Sequence, residues 1–149
     1  MKSLLGFLGL LCLLASPAAW AEERGNAADA QALVARAIAA YDAEGAAAFA
    51  AMTSPSTAFR DRDLYLFVAD ADNRVVAHGM DGKRIGVDLA AQVDAAGTPF
   101  GKQMTEQASA EGSWVDYVWL DPITQRQVRK SSWVVRHDGY LFGCGIYTP

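Results

Sequence analysis

Residues 114–147, WVDYVWLDPITQRQVRKSSWVVRHDGYLFGCGIY, decide the fold. Three runs rich in β-branched and aromatic residues, Trp114 to Leu120, Gln127 to Arg136 and Tyr140 to Tyr147, read as strands. Asp121-Pro122 marks one turn, and Asp138-Gly139 is a strong tight-hairpin signal for the other. The short connections make these strands antiparallel neighbours. The same stretch gathers Tyr117, Trp119, Trp133 and Tyr147 beside Arg126, Arg129 and Lys130. Aromatic walls around one or two fixed positive charges suit a small pocket for an organic anion.

Side chains alternate along a strand, so Val115, Tyr117 and Trp119 share one face of the first run, opposite Trp114, Asp116, Val118 and Leu120. In the second run Lys130, Ser132 and Val134 oppose Arg129, Ser131, Trp133 and Val135. These sets cannot all point inward without a bulge. Lys130 precedes Ser-Ser-Trp-Val-Val, which reads as interior strand. A lysine there needs a carboxylate, from the protein or from a ligand. The plain alternatives are an edge-strand lysine or one paired with Asp116. Most of the rings must be core whatever else they do, and Trp133 reads as core. Arg126 and Arg129 read as solvated. Gly143 and Gly145 imply close backbone approach or curvature.

Upstream, Leu64 to Ala69 and Arg74 to His78 form a second hairpin about an Asp-Ala-Asp-Asn turn. Tyr65 and Phe67 share one face of its first strand, and Val76 and His78 share a face of its second. His78 either faces a cavity or caps the sheet. Before the hairpin, Asn26 can cap a helix whose first turn holds Asp29. Ala30, Leu33, Val34, Ala37, Ile38 and Tyr41 then recur at helical spacing, and Ala48, Phe49 and Met52 extend the pattern beyond Gly45. The Pro55 segment ends or turns it. Gly79 to Gly86 is a polar, glycine-rich loop, and Val87 to Ala96 is a short helical or irregular crossing. Thr98 as cap with Pro99 in the first turn starts a helix over Phe100 to Ala110. Helix, two strands, short helices and three strands make one α+β domain: a long N-terminal helix packed on an antiparallel sheet of about five strands, with short helices between strands 2 and 3.

At the N-terminus, Lys2, the apolar run Leu4 to Leu14 and Ala19-Trp20-Ala21 match a secretory signal cleaved before Glu22. Residues 22–149 form the expected domain, and no later run is apolar enough to enter a membrane. Without Lys2 the chain keeps 12 basic against 17 acidic residues, a balance unfriendly to nucleic acid and anionic membranes. Cys144 is then the sole cysteine: a buried small hydrophobe, an intersubunit disulfide or a reactive thiol. With no HExxH, CxxC, GxSxG or phosphate-cradling glycine loop, the sequence points away from an enzyme, a metal site and a cofactor. Asp61, Asp63, Asp70 and Asp72 lack the spacing of a calcium loop.

The ordered set Asp63-Leu64-Tyr65-Leu66-Phe67-Val68, Val76-Ala77-His78-Gly79, Gly112 to Trp119, Asp121-Pro122, Lys130-Ser131-Ser132-Trp133-Val134 and Gly143 to Tyr147 resembles the single Cache domain of the second type. That resemblance spans nearly all of residues 22–149. It implies a PAS-like sheet with a pocket above it for a small organic anion, often a short carboxylate. The binding residues it implies are Tyr65, Phe67, His78, Tyr117, Trp119, Lys130 and Tyr147. The family often has tyrosine where Trp133 stands. Receptors of the family continue into a membrane helix and an output module. This chain ends at Pro149 and so resembles a stand-alone periplasmic or secreted member. Its expected partners are the anion and either a membrane receptor or a second copy of the chain. The other reading is a ligand-free interaction protein or accessory subunit of an envelope signalling receptor.

Overall fold

The computed structural model describes residues 23–148, so the signal-sequence reading of residues 1–21 lies outside the described residues. Helix α1 spans Ala27–Glu44, with Asn26 and Asp29 closing a reciprocal capping box: each side chain accepts the other's backbone N–H. Gly45 interrupts it with a positive φ of 63°. A 3-10 turn, Gly45–Ala47, leads into the short helix α2, Ala48–Ala51. The strands are β1 Arg60–Asp61, β2 Leu64–Ala69, β3 Val75–His78, β4 Ser113–Leu120, β5 Gln127–His137 and β6 Tyr140–Thr148. Helix α3, Phe100–Gln107, precedes β4.

The sheet is antiparallel with the order β1-β2-β6-β5-β4, and β3 pairs with β2 on the side that β1 also uses. Setting aside the two-residue β1, the order is β3-β2-β6-β5-β4, the PAS-like arrangement. The β4–β5 and β5–β6 registers run unbroken, so the alternation expected there holds. Leu64, Leu66, Val68, Phe142 and Cys144 face α1 and α2, together with Trp114 and Trp133. Phe67, Val115, Tyr117 and Val134 face the other way, beneath Leu89, Phe100 and Met104. The Asp138-Gly139 hairpin has positive φ at both residues (48° and 81°), as a tight type I′ turn requires. Tyr41 OH donates to Asp138 at 2.5 Å and Asp42 meets His137 Nε2 at 2.7 Å, tying the end of α1 to this hairpin.

Several local expectations need correction. Val76 and His78 do not share a face, because a bulge separates the pair Val68↔Ala77 from Ala69↔Val75. The extra residue turns Val75 toward the His78 side, while Val76 packs with the helix-side cluster. The Val87–Ala96 crossing is irregular rather than helical, so only the 3-10 turn Gly82–Arg84 and α3 stand between β3 and β4. Pro99, not Thr98, is the N-cap of α3. That helix ends at Gln107 rather than Ala110, because Ser109 is drawn into the sheet: it bridges Val135 and its carbonyl accepts from Arg136 N–H at 2.8 Å.

Candidate functional site

Above the face opposite α1 lies a chamber of about 30 Å³ that shares walls with an outer vestibule of about 390 Å³. Six of the seven sequence-predicted residues line the chamber: Tyr65, Phe67, His78, Tyr117, Trp119 and Lys130. The seventh, Tyr147, lines the vestibule and touches Lys130 from that side. Tyr65, His78 and Trp119 belong to both spaces, as does Arg84. Alternation delivers this set: residues 115, 117 and 119 of β4, 130, 132 and 134 of β5, and 143, 145 and 147 of β6 share one face. Gly143 and Gly145 leave room there. A Cβ on Gly143 would collide with the Phe67 ring, and one on Gly145 with Ser132 and the Lys130 stem.

Lys130 is only 2% exposed. Its Nζ donates to Tyr65 OH at 2.7 Å and to Tyr147 OH at 3.1 Å, and these phenols bond each other at 2.9 Å. The ammonium also lies 4.0 Å from the Tyr65 ring centroid and 4.6 Å from that of Tyr147, within cation–π range. Asp116, the protein carboxylate considered for it, is exposed on the opposite face. No carboxylate among the described residues pairs with it. Burial is the largest influence on the Lys130 ammonium and works to lower its pKa, while the hydrogen bond to Tyr65 works to raise it. Burial pushes the Tyr117 and Tyr147 phenols up, so these stay neutral beside a charged lysine. The Tyr117 hydroxyl is committed to Ser132 Oγ at 2.9 Å.

His78 stacks obliquely on Tyr65 with ring centroids 5.2 Å apart. Its Nδ1 accepts backbone N–H groups of Asp81 at 3.0 Å and Met80 at 3.4 Å. Those two donors fix the tautomer, so Nε2 carries the proton. Burial, followed by the Lys130 and Arg84 charges, lowers its pKa to about 4. At neutral pH His78 is therefore an uncharged donor, not a base. The apolar walls come from α3: Phe100 stacks on Tyr117 at 4.3 Å and meets Trp119 edge-on at 5.2 Å, with Met104 buried beside it.

Donors outnumber acceptors in this cluster. An ammonium has three N–H groups and two are used; two phenols bonded to each other leave one phenolic proton over; His78 Nε2–H adds another. Such a cluster suits a group that brings oxygens and negative charge.

Arg84 is a charged chamber residue that sequence reading did not single out. It was one of two basic residues in the glycine-rich loop, with no periodicity to assign its direction. Its guanidinium lies 5.1 Å over the Trp119 ring. A second missed group is Arg24, whose Nη1 and Nη2 reach the fully buried Asp63 at 3.0 Å and Asp121 at 2.6 Å. Arg24 thereby pins the approach to α1 onto the turn that carries Pro122 and Gln125, at the vestibule rim. Arg126 and Arg129 are exposed, as expected. Cys144 is fully buried against the helix, and burial pushes its thiol up to about 12, so it behaves as a small hydrophobe. Asp61, Asp63 and Asp70 are dispersed to Arg62, Arg24 and the β2–β3 turn. Among the described residues no three His, Cys, Asp or Glu side chains stand together as metal ligands.

The family model described as single Cache domain 2 matches residues 20–148. Three solved structures share the fold over 80% of this chain. A methyl-accepting chemotaxis protein from Vibrio parahaemolyticus RIMD 2210633 is 18% identical, with 86% of its own chain covered and a TM-score of 0.63. A periplasmic sensor domain of a chemotaxis protein is 23% identical, with 88% covered and a TM-score of 0.59. The third, titled as the structural basis for carboxylic acid recognition by a Cache chemosensory domain, is 19% identical, with 86% covered and a TM-score of 0.57. No curated protein matches the chain.

Proposed function

The chain belongs to the single Cache domain 2 family, and on that premise we propose that it binds a small organic anion outside the cytoplasm, as the sensing part of a signalling assembly. The observation that carries this reading is Lys130: a buried ammonium with a spare donor, held by phenol oxygens rather than by a carboxylate. A bare buried charge is costly, and an incoming carboxylate supplies the missing counter-charge. Lys130 and the His78 Nε2–H hold the anion, the Tyr65–Tyr147 pair orients the ammonium, and Phe67, Tyr117 and Trp119 exclude water. The carboxylic-acid-recognising Cache domain among the similar structures supports the ligand class.

The same groups support binding over catalysis. His78 has Nδ1 filled by backbone donors, and the Cys144 thiol is sealed under the helix, so neither is poised as a base or nucleophile. Among the described residues no helix is long and apolar enough to cross a membrane. The partner proposed to carry the signal is a membrane receptor or a second copy of the chain.

Titration calorimetry of the purified protein with acetate, propionate, pyruvate and lactate tests the reading, with Lys130→Ala as the paired variant. Millimolar or tighter binding that Lys130→Ala weakens about tenfold or more is expected. Equal binding by the variant removes Lys130 from the site. Binding of no acid favours the ligand-free interaction protein, a reading to which the small chamber lends weight.

A further inference from the structure

Arg84 lies at the end of the 3-10 turn Gly82–Arg84 and lines both chamber and vestibule. Its Nη2 donates to Gln92 Oε1 at 3.2 Å, a neutral partner, and its guanidinium lies over Trp119. Its Nε is buried and finds no acceptor among the described residues. A buried guanidinium N–H left unpaired is costly, and a bound acceptor would relieve it. Two cations, Lys130 and Arg84, therefore line the chamber, and no acidic side chain lines it. The one carboxylate on the vestibule wall, Asp81, is exposed and accepts its own loop's Lys83 N–H at 2.9 Å.

The two spaces differ in what they hold. A chamber of about 30 Å³ takes a head group and no chain, whereas the vestibule of about 390 Å³ takes the remainder of a small molecule. A ligand with one head on Lys130 must pass the shared walls, and Arg84 is the charged group on them. A hydrocarbon tail at that point would cover the guanidinium and leave Nε unpaired. A second carboxylate would pair it and neutralise the second charge.

We propose that the ligand is a short dicarboxylate, with one carboxylate on Lys130 and the other on Arg84, and that Arg84 selects it over the monocarboxylate of equal length. This rests on the anion-site reading of Lys130. Sites built to pair a polar group reject analogues lacking it more strongly than apolar pockets distinguish chain lengths.

The test is calorimetry on the intact protein with two matched pairs, malonate against propionate and succinate against butyrate, for wild type, Arg84→Gln and Lys130→Met. Wild type should bind the better dicarboxylate at least about tenfold more tightly than its partner. Arg84→Gln should weaken the dicarboxylate about tenfold more than it weakens the matched monocarboxylate. Circular dichroism melting establishes that each variant is folded, and Arg84, being only half-buried, leaves the core intact. Equal wild-type affinities within each pair, or a preference that survives Arg84→Gln, overturn the proposal. Lys130-dependent binding of monocarboxylates alone would overturn it and leave the anion site standing; binding of none of the four acids overturns it as well, and the anion site falls with it only if acetate, pyruvate and lactate also fail to bind.

Discussion

On β6, Phe142 and Cys144 face the helix while Gly143, Gly145 and Tyr147 face the chamber, so neighbouring residues of one strand belong to opposite kinds of interior. The helix face is filled with alanine, leucine, valine and aromatic rings, and its partners are side chains of this chain alone. The chamber face carries a lysine, a histidine, three tyrosines and a serine among its apolar residues. On the first face removing atoms costs stability. On the second, buried polar groups cost stability as they stand, and the proposed anion site accounts for their presence.

The largest expected effect tests that contrast directly. Phe142→Ala, at a fully buried position, should destabilise the fold by about 3–5 kcal/mol in urea unfolding. Lys130→Met replaces a buried ammonium by an apolar chain of similar length and leaves the Tyr65–Tyr147 hydrogen bond intact. Without ligand it should be neutral or stabilising by about 1 kcal/mol or more, while losing anion binding. A Lys130→Met loss as large as that of Phe142→Ala would make the lysine a structural element and erase the contrast.

His78 gives the next effect. Its folded-state pKa of about 4 lies below the ordinary 6.5, so below 6.5 the unfolded chain binds a proton that the folded one refuses. Stability is therefore free of this penalty above pH 6.5, falls as pH drops from 6.5 to about 4, and has lost about 3 kcal/mol from this group by then. Denaturant melts of wild type and His78→Gln across that range check it: their difference should change with pH in this window and be constant above it. The groups facing His78 are Lys130, Arg84 and Asp81, so a flat difference would mean that its ring is hydrated and the chamber face is not dry.

How far these features were legible in sequence differs between the faces. Period-two alternation in β4 and β5, with tight turns to fix register, placed Tyr117, Trp119 and Lys130 together and sent Trp133 to the helix. Alternation failed at Val76, since a bulge inserts one residue without marking the sequence. It was silent on Arg84, because loop residues have no period and an arginine between glycines reads as solvated. Arg24 was invisible for another reason: it meets Asp63 and Asp121 across 39 and 97 residues of chain, and nothing local records such a pairing. Sequence thus reports strand faces well and reports poorly the loops that close a site over them.

Arg24 carries the smallest of the destabilising effects and the one that joins the two faces. Asp121 accepts from Arg24, from Ile123 N–H at 2.9 Å and from Thr124 OH at 2.8 Å; against burial, these bonds lower its pKa from 3.8 to about 2. Its contribution is fully present above pH 3.8 and is lost as pH falls toward 2, about 2 kcal/mol in all. Arg24→Gln should cost about 1–2 kcal/mol at neutral pH, softened because Asp63 keeps the Gly25 N–H at 2.8 Å and Asp121 keeps its turn donors. The variant should also lose most of the stability change between pH 3.8 and 2. Since Arg24 holds the start of α1 against the Asp121 turn at the vestibule rim, amide hydrogen exchange in Arg24→Gln should rise both in the first turn of α1 and in residues 121–125. Faster exchange in the helix alone would show that the rim is fixed by its own turn, and that the helix face and the chamber face are mechanically separate at this corner.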